Sequence, residues 1–296
     1  MKQEAYLSAF LSLASNRGGY TVIKIGFIGA GNMGFAIIKG IHSSGLCGDV
    51  DMYATSRRIS LYAYDPNNDM IKRLAEFGVK PCASEAELVE KCDYVFLAVK
   101  PQQLEAVLDN AKATFTNKKV IISICAGITA EYIQSKTVAD AKVVLVMPNT
   151  PLLLGEGASA LAKNNKVTEE EFDFVKGIFS SCGKAAVVPE NKMKEIIAVN
   201  GSSPAFIYLF AKAFIDYADK EGIDPAAAKE LFAQSLVGSA KMITDSGYTI
   251  DELIKMVSSP GGTTLAGLEE LYKGGLTDTA EAACKACTKR AYELSK

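Results

Sequence analysis

Gly29-Ala30-Gly31-Asn32-Met33-Gly34 is a full G-x-G-x-x-G, and it follows Lys24-Ile25-Gly26-Phe27-Ile28, an apolar run of strand character. In such a loop the first glycine allows a tight turn and the second lets a diphosphate approach the backbone. The third lets the next helix pack closely on the strand. A diphosphate placed there would meet unpaired N–H groups and the positive end of the helix dipole. A glycine-rich turn that holds nothing could share this composition, but its place between a strand and a helix favours a dinucleotide. Gly29, Ala30, Gly31, Asn32, Met33 and Gly34 are therefore the first candidate binding residues.

The end of the second strand should separate NADH from NADPH, and two segments compete for that place. A spacing of about 20 residues from the loop points to Val50–Thr55, followed by Ser56, Arg57 and Arg58. A hydroxyl and two guanidiniums there would suit a 2′-phosphate. Strand character points instead to Leu61–Tyr64 ending at Asp65, whose carboxylate would bond a ribose 2′-OH and repel a phosphate. The spacing favours Ser56, Arg57 and NADPH, with NADH as the alternative.

Other chemistry is thinly represented. His42 is the only histidine, which excludes metal sites or triads built on several histidines. Cys284 and Cys287 form a C-x-x-C without a second pair; on a helix over Thr279–Leu294 the two share a face, where packing explains them. Seven cysteines, odd in number and scattered, fit a reducing compartment, and the cytoplasm is expected. With 32 Lys+Arg against 34 Asp+Glu the net charge is −2, so no large basic surface points to nucleic acid. No apolar run is long enough to expect a transmembrane helix. Residues 1–21 read as a helical extension, because Glu4, Ser8 and Ser12 interrupt what could otherwise be a secretory signal.

Positioning these residues requires a frame. Val22–Ile28, Tyr94–Val99, Val120–Cys125 and Val143–Met147 are nearly continuous apolar runs, as strands covered on both faces must be. Helix-period segments such as Met33–Ile41, Asp69–Phe77 and Gln103–Ala113 lie between them, and the alternation predicts an α/β fold, a doubly wound parallel sheet over 22–188. Thr168 to Glu171 reads as a capping box. From 189 to 296 the strand signal stops and an all-helical domain is predicted. Asp224 before Pro225 supplies an N-cap, and Thr249 with Glu252 a second capping box. Leu231, Phe232, Leu236, Val237, Met242 and Ile243 make one helix apolar on more than one face, which predicts a dimer interface.

Four further stretches accompany the glycine loop: Ala98-Val99-Lys100-Pro101-Gln102, Met147-Pro148-Asn149-Thr150-Pro151, Gly201-Ser202-Ser203-Pro204-Ala205-Phe206, and Val257-Ser258-Ser259-Pro260-Gly261-Gly262-Thr263-Thr264. Together these resemble the pyrroline-5-carboxylate reductase family from about Ile23 to Leu294. The resemblance implies a Rossmann-type domain followed by a helical dimerisation domain, and NAD(P)H-dependent reduction of 1-pyrroline-5-carboxylate to L-proline. It implies that Ala98, Val99, Lys100 and Pro101 join the cofactor site and that Thr264 presents its hydroxyl to the ring nitrogen. Backbone N–H groups of Gly261, Gly262 and Thr263, just before a helix, suit the substrate carboxylate. It further implies a homodimer or a ring of dimers; from charge and hydropathy, no nucleic acid and no membrane are expected as partners. Leu145, Asn200 and Ser203 depart from the family pattern. A β-hydroxyacid dehydrogenase is the competing class, and Lys192, Lys194 and Lys212 lack the Gly-x-x-x-Lys context it needs.

Overall fold

The computed structural model describes residues 21–43 and 57–295. Most of the N-terminal extension, the candidate strand Val50–Thr55 and Ser56 lie outside the described residues. The chain begins β1 (Thr21–Ile28), α1 (Asn32–Ser43), β2 (Arg57–Tyr64), α2 (Asn68–Arg73), β3 (Lys80–Pro81), α3 (Glu85–Lys91) and β4 (Tyr94–Leu97). It continues α4 (Pro101–Ala111), β5 (Val120–Ser123), α5 (Ala130–Lys136), β6 (Lys142–Met147), β7 (Gly157–Lys163), α6 (Glu169–Ser181) and β8 (Gly183–Val187).

These strands form one sheet in the order β3-β2-β1-β4-β5-β6-β7-β8. The order reverses between β1 and β4, the switch point of a doubly wound sheet, where ligands bind outside the carboxyl ends of the strands. The pairs are parallel except β6 with β7. The link between them runs through a 3-10 turn at Thr150–Leu154 and Gly155 at φ 77°. It is shorter than the dozen or so residues that a parallel crossover needs, so β7 returns antiparallel.

The continuous apolar runs are explained by burial on both faces. In β4, Val95 and Leu97 pack with Leu88, Leu104 and Leu108 of the covering helices. Phe96 points the other way, to Ile37 and Ile41 of α1 and Phe174 and Phe179 of α6. Phe27 of β1 stacks on it with ring centroids 4.4 Å apart. The reciprocal Thr168–Glu171 capping box starts α6.

Compactness divides the chain into two units. One ends at Gly201 and takes in Cys287–Lys296; the other is Ser202–Ala286. The strand signal stops at Val188, but Met193 and Ala198 beyond it are buried, so the sheet unit runs on through a π-helix at Ile197–Gly201. The C-terminal residues are held by the Tyr292 hydroxyl donating to Glu195 Oε1 at 3.2 Å and by Lys194 Nζ donating to Ser295 Oγ at 3.0 Å.

The second unit carries α7 (Ser203–Lys220), α8 (Pro225–Asp245), α9 (Ile250–Met256), α10 (Thr263–Lys273) and the start of α11 (Leu276–Leu294). Asp224 caps α8 by accepting from the N–H groups of Ala226 and Ala227. Thr249 and Glu252 cap each other's backbone at the start of α9. Phe210, Phe214 and Phe232 cluster where α7 meets α8, with the Phe214 and Phe232 rings stacked at 4.5 Å. Yet no residue of α8, α9 or α10 is buried. Among the described residues, no helix is long and apolar enough to cross a membrane.

Candidate functional site

In the sheet unit the glycine loop is wedged between the carboxyl ends of β2 and β4. Gly29 N donates to Tyr64 O at 2.9 Å, and Ala98 N donates to Ile28 O at 2.8 Å. Gly29 has φ +97°, and a Cβ on it would stand 2.5 Å from the Ala98 carbonyl oxygen. A Cβ on Gly34 would stand 2.5 Å from the Gly29 carbonyl oxygen, whereas one on Gly31 would meet nothing within 4 Å. The first and third glycines are thus required by the fold itself. The second faces open space at the N-terminus of α1, whose first N–H groups have no partner within the helix. That combination fits a diphosphate.

The Ala98–Pro101 turn flanks this loop. Lys100 is extended at ψ 145°, and Pro101 takes the first helical position of α4. Beneath it the Cys125 thiol donates to Val99 O at 3.2 Å and lies 3.5 Å from Leu97 O. Burial pushes this thiol up to about 11, so it stays protonated and able to donate. Sequence reasoning missed Cys125, because nothing local distinguishes it from a packing cysteine.

A second overlooked set is the pair Asn149 and Asn200. Asn200 Nδ2 donates to Met147 O at 2.7 Å and to Ala158 O at 3.0 Å. Asn149 Nδ2 donates to Asn200 O at 3.1 Å, while its Oδ1 accepts from Ala158 N at 2.8 Å. Together they fix the Met-Pro-Asn-Thr turn against β7 and the π-helix. Asn200 stood out in the sequence only as a departure from the family pattern.

The expectation for Arg57 is corrected. Its Cα pairs with Thr21 at the amino end of β1, whereas the glycine loop follows Ile28, which pairs with Tyr64. At 3.3 Å per residue the two ends of β2 are roughly 23 Å apart, so Arg57 begins the strand far from the loop. The residue beside the loop is Asp65. Its Oδ2 accepts from Ala30 N at 2.8 Å and its Oδ1 from Asn67 N at 2.9 Å.

In the helical unit, Gly261 at φ +70° and Gly262 turn the chain into α10. A Cβ on Gly262 would stand 2.6 Å from Ser259 Oγ. Gly262 N donates to Ser259 O at 3.0 Å, so this N–H is engaged inside the loop and does not face a ligand. The helix start offers the N–H of Thr264 in its place beside that of Thr263. Gly262 is the N-cap and makes no side-chain cap bond. Thr264 is therefore the second helical residue and exposed.

A doubly wound sheet with an open glycine loop at its switch point binds a dinucleotide, and the class defined here is a Rossmann-type oxidoreductase carrying a separate helical unit. Residues 24–127 match the family described as NADP oxidoreductase coenzyme F420-dependent, and residues 190–294 the one described as pyrroline-5-carboxylate reductase dimerisation. The chain is 36% identical to pyrroline-5-carboxylate reductase of Methanosarcina acetivorans over 92% of its length and 98% of the relative's. It is 34% identical to the Escherichia coli K12 enzyme over the same shares of both chains. A crystal structure of Plasmodium falciparum pyrroline carboxylate reductase with NADP bound superposes with TM-score 0.80 at 31% identity, covering 94% of this chain and 100% of that one. The chain belongs to the pyrroline-5-carboxylate reductase family. It is an NAD(P)H-dependent oxidoreductase, and a homo-oligomer built through its dimerisation domain.

Proposed function

We propose that the chain reduces 1-pyrroline-5-carboxylate to L-proline by hydride transfer from NAD(P)H, with the roles divided between its two units. The observation that carries this division is the Gly261-Gly262-Thr263-Thr264 turn, which opens α10 with an exposed hydroxyl at its second position. The sheet unit binds the nucleotide, and the helical unit, Ser202–Ala286, binds the substrate and the partner copy. The Gly29–Gly34 loop, with Ala98, Val99, Lys100 and Pro101, holds the nucleotide. When bound, the nicotinamide supplies the hydride to the C=N carbon.

The chain's own residues bind and orient the imine. Backbone N–H groups of Thr263 and Thr264, with the Gly261 turn, receive the substrate carboxylate at the positive end of α10. The Thr264 hydroxyl meets the ring nitrogen and stabilises the amine as it forms. An imine that arrives protonated accepts hydride without a general acid. The exposed apolar faces of α7 and α8 are covered by a second copy, as a homodimer or a ring of dimers, in the cytoplasm.

Turnover is followed as loss of reduced nicotinamide with 1-pyrroline-5-carboxylate, against 2-hydroxy and 3-hydroxy acids with the oxidised nucleotide. Thr264→Ala should lower kcat/KM about tenfold or more, which is about 1.4 kcal/mol of transition-state stabilisation, at an unchanged Tm. Thr263→Ala keeps its N–H and should turn over nearly normally. Normal turnover by a Thr264→Ala protein that melts earlier would overturn the assignment to Thr264. No turnover with either nucleotide, in a folded oligomer, would overturn the function.

A further inference from the structure

The sheet unit leaves one carboxylate at the loop unexplained by the reaction. β2 and β1 run in register to their carboxyl ends, where Tyr64 lies opposite Ile28 and Tyr64 O receives the N–H of Gly29. Asp65 is the next residue, half-buried, with its carboxylate 2.8 Å from the N–H of Ala30, inside the glycine loop itself. In a doubly wound sheet this is where the adenosine ribose of a dinucleotide lies.

The surroundings are those of a hydroxyl binder. From Tyr64 to Met70 the sequence has two aspartates, two asparagines and no cation. The next basic residues in the chain are Lys72 and Arg73. Lys72 pairs with Asp69 at 3.0 Å, and the Arg73 guanidinium lies 4.5 Å from the centre of the Phe35 ring. Burial first, then the charges of Glu85 and Asp65, hold the Tyr64 phenol above its ordinary value. A ribose 2′-OH can donate to a remaining lone pair of the Asp65 carboxylate. A 2′-phosphate brings about −1.5 to −2 charges against it.

We propose that Asp65 is the residue by which this enzyme selects its reductant, accepting a hydrogen bond from the unphosphorylated adenosine ribose so that NADH binds more tightly than NADPH. The inference rests on the reading that the sheet unit holds a nicotinamide nucleotide. The fold itself admits either one; the Plasmodium falciparum relative was crystallised with NADP. The strand-end residue decides between them. Asp65 also supports the loop through Ala30, so the test must separate support from selection.

The full-length oligomer is titrated with NADH and NADPH in the absence of imine, following nucleotide fluorescence and the shift in Tm. The wild type should bind NADH at least tenfold more tightly than NADPH. Asp65→Ser should bring the ratio to unity or reverse it, with NADPH affinity rising in absolute terms while NADH affinity falls. Asp65→Asn keeps an acceptor for Ala30 and removes the charge, so it should relieve the discrimination even if Asp65→Ser folds poorly. Equal or tighter NADPH binding by the wild type would overturn the proposal. So would parallel weakening of both nucleotides in Asp65→Asn, the mark of mere loop support. Because no imine is present, a failure of imine turnover leaves the outcome of this titration standing, and imine turnover by a wild type that binds the two nucleotides alike sinks only the selection.

Discussion

Phe27, Phe96, Phe174 and Phe179 of the sheet unit are fully enclosed, while Leu209 and Leu231 of the helical unit are each 70% exposed. Both units follow strong local signals, including a reciprocal capping box in each. They differ in where the apolar surface goes. A sheet covered by helices on both faces closes its own core and needs no second chain. Helices apolar on several faces with nothing buried over α8, α9 and α10 are complete only in the homo-oligomer. The glycine loop therefore rests on a self-sufficient scaffold, and the Gly261–Thr264 loop on helices whose apolar faces are left open within one chain.

The strongest way to break this contrast is to charge the exposed face. Leu209→Glu combined with Leu231→Glu should convert the oligomer to monomer in light scattering and lower turnover roughly a hundredfold or more, because the helical unit loses the copy that covers it. Nucleotide binding, measured by titration, should change little. A monomer that keeps full turnover would show that the helical unit does not need its partner.

Within the sheet unit the glycines sharpen the comparison. Gly31→Ala adds a methyl where nothing stands within 4 Å. It should weaken nucleotide binding about tenfold, or 1.4 kcal/mol, with Tm unchanged. Gly29→Ala meets the Ala98 carbonyl and a φ of +97°, so both binding and Tm should fall. Equal Tm losses in the two variants would show that Gly31 also serves the fold.

The smallest effects are at the caps. Thr168→Ala should cost about 1 kcal/mol in the sheet unit and leave turnover intact. In the helical unit, backbone and hydroxyl bonds from Thr249 hold the Glu252 carboxyl below its usual 4.5. A carboxyl so lowered stabilises the folded state fully above 4.5 and progressively less as pH falls through its folded-state value. Acid titration of Tm should therefore show a loss in that range that Glu252→Gln lacks and that Thr249→Ala, which keeps its backbone N–H donor, only reduces; a matching profile in Glu252→Gln would exclude the Thr249–Glu252 box as its source.

Much of the candidate site is legible in the sequence because its signals are local. The glycine loop, the Gly-Gly-Thr-Thr turn, the Asp224 cap and both capping boxes depend on residues within a few positions of one another, so periodicity and spacing reveal them. The choice between Arg57 and Asp65 was not local. Both flank a plausible strand, and only the register of β2 on β1 shows which of them reaches the loop.

The sequence by itself determined the alternation of strands and helices, the dinucleotide loop and the family, because apolar period and glycine placement are written along the chain. Tertiary structure alone decided that β7 returns antiparallel to β6, that Cys125 ties down the Ala98–Pro101 turn and that Asn149 and Asn200 lock the Met-Pro-Asn-Thr turn. Each of these depends on hydrogen bonds between residues far apart in the chain, whose partners exist only once the sheet has set its register.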